Sequence, residues 1–184
     1  MSDLLQRVRR TPERVLHPLR RRKALARLRA RSRPKSVLVV CHGNICRSPF
    51  AAALLARELA TRDVTVQSAG FIGYNRPPLP PAVAAAEPYG LDLAGHRSRL
   101  VTVDLVRSAD LIVVMEMSQQ RLICERFGHR PSDVLVLGDL DPATVETRTI
   151  RDPVNESREV FDEVYERIAR CVRELGRVLG SGAG

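Results

Sequence analysis

Residues 36–49, SVLVVCHGNICRSP, decide the fold. Ser36 to Cys41 is a short continuous run of β-branched and aliphatic residues. Gly43 follows at once, and from Ser48 to Ala60 an alanine-rich segment repeats its apolar residues at helical spacing. Strand, tight loop, helix is the opening unit of a parallel α/β sheet. The rest of the chain continues the alternation. Val64 to Gln67 reads as a second strand, Arg76 to Pro81 as a proline-rich surface loop, and Ala82 to Tyr89 as a short helix stopped by Gly90. Asp110 to Met115 is a third strand, Ser118 to Phe127 a helix closed by Gly128, and Asp133 to Leu137 a fourth strand. A polar loop over Gly138–Glu156 leads to a last helix, Arg158 to Leu179, with Phe161, Val164, Ile168, Cys171, Val172 and Leu175 on one face. Strands that are apolar throughout belong to a parallel sheet covered on both sides. Ligands of such sheets lie beyond the carboxyl ends of the strands, which singles out the loop after Cys41.

That loop brings together Cys41, His42, Gly43, Asn44, Ile45, Cys46, Arg47 and Ser48. Cys-x5-Arg spacing alone says little, because it recurs at Cys124–Arg130 and Cys171–Arg177 inside helix patterns with no strand before them. Context separates Cys41. It ends a buried strand, Gly43 permits unusual dihedrals, and Ser48 with Pro49 suits an N-cap and first helical residue. Successive backbone N–H groups would wrap one point in front of a helix N-terminus, a site for a phosphate-like anion. Arg47 would add a bidentate fork onto two of its oxygens. The same field favours a thiolate, the form in which cysteine attacks. Ser48 is placed to donate to that sulfur and Asn44 to brace the loop, although capping and turn chemistry alone would also explain both residues. Zinc is poorly served, because Cys-x4-Cys has no second Cys or His pair beside it.

Composition restricts the setting. The 184 residues carry four cysteines and no apolar run beyond about half a dozen residues, below the roughly 18 a membrane span needs. The N-terminus has no signal-peptide core, so a reducing, cytoplasmic location is expected. Charge is uneven: residues 1–35 hold 13 Lys and Arg against Asp3 and Glu13, whereas the remainder has 17 Arg against 19 acids. The chain divides accordingly into a basic extension, 1–35, and a folded part, 36–184. Leu4, Leu5, Val8, Val15, Leu16, Leu19, Leu25 and Leu28 recur at helical spacing within the extension, and Pro12 and Pro18 interrupt it. Two readings stay open, short amphipathic helices or a solvated disordered arm. Its partner would be an anionic membrane or an acidic protein; nucleic acid is less favoured, because the arm has no aromatic residue for base stacking.

The stretch VCHGNICRSP resembles the phosphate-binding loop of the low-molecular-weight protein tyrosine phosphatases, and the likeness runs through most of 36–179. Ser68-Ala69-Gly70, His96-Arg97-Ser98-Arg99, Asp110–Glu116 and Asp152-Pro153 ahead of a helix with Phe161 and Tyr165 support it. The resemblance implies a four-stranded parallel sheet of flavodoxin-like order, Cys41 as nucleophile and Arg47 as phosphate binder. It also implies a supporting network of Asn44, Ser48 and His96. Departure of a phenoxide calls for a general acid, and two Asp-Pro pairs, Asp141-Pro142 and Asp152-Pro153, lie in the loop after strand four. The family position selects Asp152 and leaves Asp141 as a turn residue.

Where the family often has aromatics after Asp-Pro, this chain has Val154 and Asn155, so Tyr74 is expected as the aromatic wall of the cleft. His42 replaces a usually apolar residue. Ile45 resembles the tyrosine-specific members, whereas related protein-arginine phosphatases have threonine there. Residues 152–161, DPVNESREVF, are similar to bacterial enzymes that dephosphorylate the tyrosine autokinases of capsule export. Cys46 is a candidate redox partner for Cys41. No motif implies a metal or organic cofactor. Two rivals remain, a thioredoxin-linked arsenate reductase, which would need a further close cysteine pair, and a non-catalytic anion- or nucleic-acid-binding module working through the basic arm.

Overall fold

The computed structural model describes residues 2–181, with side chains from Glu13 onward; the Leu4, Leu5 and Val8 side chains and the last three residues lie outside it. Four parallel strands, β1 (Ser36–Cys41), β2 (Thr65–Gly70), β3 (Leu111–Val114) and β4 (Val134–Val136), pair in the order β2-β1-β3-β4. β1 is flanked on both sides, Val37 opposite Val66 and Leu111, Val40 opposite Ala69 and Val114. Such a strand has no solvated face, which is why every residue from Val37 to Cys41 is apolar and buried.

Period-two alternation divides the strands between two cores. Val37, Val39, Cys41, Leu111 and Val113 face a cluster built with helices α2 (Arg47–Glu58), α3 (Pro80–Ala86) and α6 (Arg158–Gly180). Leu38, Val40, Ala69, Ile112 and Val114 face a second cluster with α4 (Val103–Ser108) and α5 (Met117–Phe127). The expected helices are present; α4, six residues capped by the Thr102 hydroxyl accepting from Leu105 N–H at 3.2 Å, is an addition too short to show a period. Gly90 and Gly128 take the left-handed conformation (φ 67° and 73°) that a residue with Cβ resists.

The basic segment is neither an arm of broken helices nor a disordered one. Ser2–Ala30 is one α-helix, α1, through both prolines. A proline inside a helix costs about 3 kcal/mol through its missing N–H and ring clash. Docking outweighs this, because Ala24, Leu25 and Leu28 enter the core beside α6. His17 is buried as well, against the 3₁₀ turn Leu137–Leu140 that follows β4. The helix thus docks against that turn and α6, and the chain leaves it at Ala30 to enter β1 at Ser36.

Burial pushes the His17 imidazole below the usual histidine value, against the opposing pull of Asp141. Near and below pH ~6.5 the unfolded chain therefore binds a proton that the folded one refuses, and stability falls as pH drops. We expect the thermal midpoint to decrease between about pH 7 and pH 5, and His17→Leu, followed by calorimetry, to flatten that dependence.

Candidate active site

β1 delivers Cys41 to the carboxyl edge of the sheet, where it is 2% exposed. Its Sγ lies 3.0 Å from Ser48 Oγ and accepts the Asn44 backbone N–H at 3.3 Å. The loop closes on itself because Asn44 adopts φ 51°, a left-handed conformation that asparagine tolerates better than most residues with a Cβ. Its side chain is fully engaged: Nδ2 donates to Ser48 Oγ and Ser68 Oγ, each at 2.9 Å, and Oδ1 accepts Arg99 N–H at 3.0 Å. The Asn44 carbonyl accepts from His96 Nε2 at 2.8 Å, and burial holds that imidazole below its usual value. The expected trio of Asn44, Ser48 and His96 is therefore one connected network, with Ser68 and Arg99 as members that spacing did not reveal.

Ser48 is not the N-cap. Cys46 holds that place, Arg47 is the first helical residue, and Pro49 falls in the first turn, where a missing N–H breaks no helical bond. The Ser48 hydroxyl is instead turned toward Cys41 and Asn44. Behind the loop, Gly70 ends β2 so closely that a Cβ there would stand 2.8 Å from Asn44 N, 2.8 Å from His42 O and 2.9 Å from Gly43 C. The His42 carbonyl accepts Phe71 and Ile72 N–H at 2.8 and 3.1 Å, while the residue as a whole is exposed.

Arg47 is 1% exposed, so its charge must be met inside the protein. Nη1 donates to Glu116 Oε1 at 2.6 Å and to the Ile150 carbonyl at 3.0 Å, and Nη2 pairs with Asp152. Gln119 holds Glu116 from behind, Nε2 to Oε1 at 3.0 Å, while its own Oε1 accepts Met115 N–H at 2.9 Å. Glu116 and Gln119 were not foreseen; a carboxylate just past the end of β3, at the ligand edge, was the available signal. Arg47 Nε is buried without a hydrogen-bond partner among the described residues. Buried polar groups without a partner are rare, and Arg47 is among the residues that line the cavity beside Cys41.

Asp152 reaches this point because its loop is pinned. Asp141, fully buried, pairs with Arg167 at 3.1 Å and Arg170 at 2.9 Å and also accepts Ala143 N–H, so it is an anchor as well as a turn residue. Asp139 holds Arg148, and Ile150, also fully buried, donates its N–H to the Met115 carbonyl at 2.9 Å. On the far side of α2, Phe50 stacks on Tyr165 with centroids 4.0 Å apart, and the Tyr165 hydroxyl donates to the Cys46 carbonyl at 3.0 Å.

These groups surround a cavity of about 160 Å³ lined by Cys41, Cys46, Arg47 and Asp152, with walls of Ile72, Arg76 and Val154. Tyr74 does not line it; the residue is 75% exposed, and the wall expected to be aromatic is aliphatic and cationic instead. Cys46 shares the cavity, but burial, then the neighbouring Cys41, pushes its thiol up to about 12, so it stays protonated. Cys124 and Cys171 pack into clusters on opposite faces of the sheet and supply no close pair. A larger recess of about 490 Å³, between the ends of α1 and α6, is lined by arginines and aliphatic residues without a cysteine or a carboxylate. Of these two recesses, the one at Cys41 alone combines a thiol, a guanidinium and a carboxyl.

A family model described as low molecular weight phosphotyrosine protein phosphatase matches residues 36–181. The chain is 40% identical over 139 residues to the probable low molecular weight protein-tyrosine-phosphatase EpsP of Ralstonia nicotianae, covering 75% of this chain and 91% of that one. Its structure is similar to that of the tyrosine phosphatase Wzb of Escherichia coli K30 in complex with sulphate (TM-score 0.71, 32% identity, 78% of this chain and 97% of that one). It is also similar to the YwlE arginine phosphatase of Geobacillus stearothermophilus (TM-score 0.71, 26% identity, 79% and 93%).

Gly70→Ala tests how tightly the loop is held. All three atoms its Cβ would meet are backbone, so the loop must shift by a good fraction of an ångström. Displacement on that scale lowers kcat/KM on a phosphomonoester by up to about a hundredfold; unchanged turnover in a folded variant would show that the loop tolerates movement.

Proposed function

Because this chain belongs to the low-molecular-weight protein tyrosine phosphatase family, we propose that its Cys41 cavity hydrolyses phosphotyrosine through a phosphocysteine intermediate. The observation that carries this reading is the buried Arg47 guanidinium with one N–H unpartnered, lining the same cavity as the Cys41 sulfur and the Asp152 carboxyl. The phosphoryl oxygens take the loop N–H groups and the Arg47 fork, displacing Asp152 from its pairing with Nη2. The Cys41 sulfur then attacks phosphorus. The S–P bond forms as the P–O bond to the tyrosyl ring breaks, and Asp152 as carboxylic acid gives its proton to the departing oxygen. In the second half Asp152 takes a proton from water, whose oxygen attacks phosphorus, and the S–P electron pair returns to sulfur. Ser48, 3.0 Å from Sγ, donates to the sulfur as it leaves. Arg47 and the backbone amides carry the growing oxyanion charge from fixed positions.

Phosphotyrosine is preferred to phosphoarginine because Ile45 stands where threonine marks the arginine-specific relatives. The similarity of residues 152–161 to the capsule-export phosphatases points to a tyrosine autokinase as substrate, and the reducing interior of the cell is where such a thiolate enzyme works. No helix among the described residues is long and apolar enough to cross a membrane.

In EDTA the reduced enzyme is expected to hydrolyse p-nitrophenyl phosphate, Cys41→Ser to have no measurable turnover, and Asp152→Asn to lose roughly 10² to 10⁴ in kcat on a phosphotyrosine peptide. Turnover that persists in Cys41→Ser would sink the mechanism. For the substrate assignment, the enzyme should strip phosphate from the tyrosine-rich tail of a capsule-export autokinase faster than from a phosphoarginine peptide. The reverse order, measured as inorganic phosphate released, would move the assignment to phosphoarginine.

A further inference from the structure

Helix α1 has two apolar faces, and the fold uses one. His17, Ala24, Leu25 and Leu28 are buried against the domain. At 100° per residue, Val15, Leu16 and Leu19 fall on the opposite side of the helix, where they are 71%, 41% and 50% exposed. Arg22 and Lys23, also exposed, extend this side one and two turns further on, seven residues after Val15 and four after Leu19. In the sequence, the spacing reaches back to Leu5 and Val8. An aliphatic stripe edged by cations, on a segment carrying 13 basic residues and two acids, is the pattern of a helix that lies in the plane of a lipid interface.

We propose that α1 seats this phosphatase on an anionic lipid bilayer, with Val15, Leu16 and Leu19 entering the headgroup–acyl boundary and Arg22 and Lys23 reaching the lipid phosphates. Charge selects this occupant. Residues 36–184 hold 17 Arg against 19 acids, so attraction to a negative surface resides in the helix and orients it. A second copy is disfavoured, because two such segments, each with 13 basic residues against two acids, would repel one another. Nucleic acid offers phosphates for the cations but nothing to bury the aliphatic stripe, and no aromatic side chain lies in the segment to stack on bases. The docked face anchors the helix to the domain, so the exposed face is available without unfolding.

The test is flotation of the full chain with phosphatidylcholine vesicles, with and without phosphatidylglycerol, at low and high salt. Binding is expected only with the anionic lipid and weakens with salt. Val15→Ser with Leu19→Ser lowers the partition coefficient about tenfold or more, and Arg22→Gln with Lys23→Gln about thirtyfold. All of these positions are exposed and none lines the Cys41 cavity, so turnover of p-nitrophenyl phosphate in solution stays at the wild-type value and certifies the fold. Absence of flotation with anionic vesicles overturns the proposal. So does flotation that the two serine replacements leave unchanged, or double-stranded DNA competing fully with the vesicles, since either would mean a purely electrostatic arm.

Discussion

A fully buried guanidinium organises the catalytic edge of this molecule. Arg47 opens α2 with almost no access to water, and an uncompensated charge there would cost several kcal/mol. Glu116 from the end of β3, the Ile150 carbonyl and Asp152 supply the compensation, so three separate segments must converge on one side chain. Their positions are secured in turn by Gln119 behind Glu116 and by the Asp141 and Asp139 pairs that hold the long loop after β4 to α6 and to itself. Of the groups that balance the arginine, Asp152 also lines the cavity at Cys41. In the proposed mechanism a phosphoryl oxygen takes its place on the guanidinium and frees it to handle a proton.

The second constraint is closeness of backbone. The anion loop folds tightly because Asn44 accepts a left-handed conformation, and it stays folded because the amide side chain ties Ser48, Ser68 and Arg99 together. β2 approaches so near that only glycine fits at position 70. Rigidity of this kind means that sulfur, hydroxyl and amides are oriented before substrate arrives, and reorganisation is not required during the reaction. The cavity walls are less specialised: Ile72, Arg76 and Val154, with His42 at the loop, stand where an aromatic slot was expected.

The N-terminal helix links these layers to the outside. It closes one flank of the core through Ala24, Leu25 and Leu28, and its buried His17 sits against the turn from which the Asp152 loop departs. Its opposite side carries charge and aliphatic surface that the domain leaves uncovered. One helix therefore serves packing on one side and, on the other, presents the face proposed to meet lipid, which accounts for two apolar stripes in a segment otherwise dominated by arginine.

The sequence by itself determined the sheet, its parallel sense, most helices and the Cys41–Ser48 loop. These depend on local periodicity and spacing: VLVV and LIVV are apolar throughout because both sheet faces are covered, and Gly90 and Gly128 end helices where φ turns positive. Tertiary structure decided what depends on partners distant along the chain. Ser48 reads as a cap but is turned to Cys41, where the Asn44 amide donates to it; Tyr74 reads as a wall but stays exposed outside the cavity that Ile72 lines. Pro12 and Pro18 read as helix breaks, yet burial of the far side of α1 outweighs their cost. Glu116 closes a stretch that supports the family resemblance, but its role is revealed only by the arginine it neutralises. Local preferences amount to a few kcal/mol at most, whereas burying a charge or an apolar face commits more free energy than that, so the long-range contact prevails wherever the two disagree.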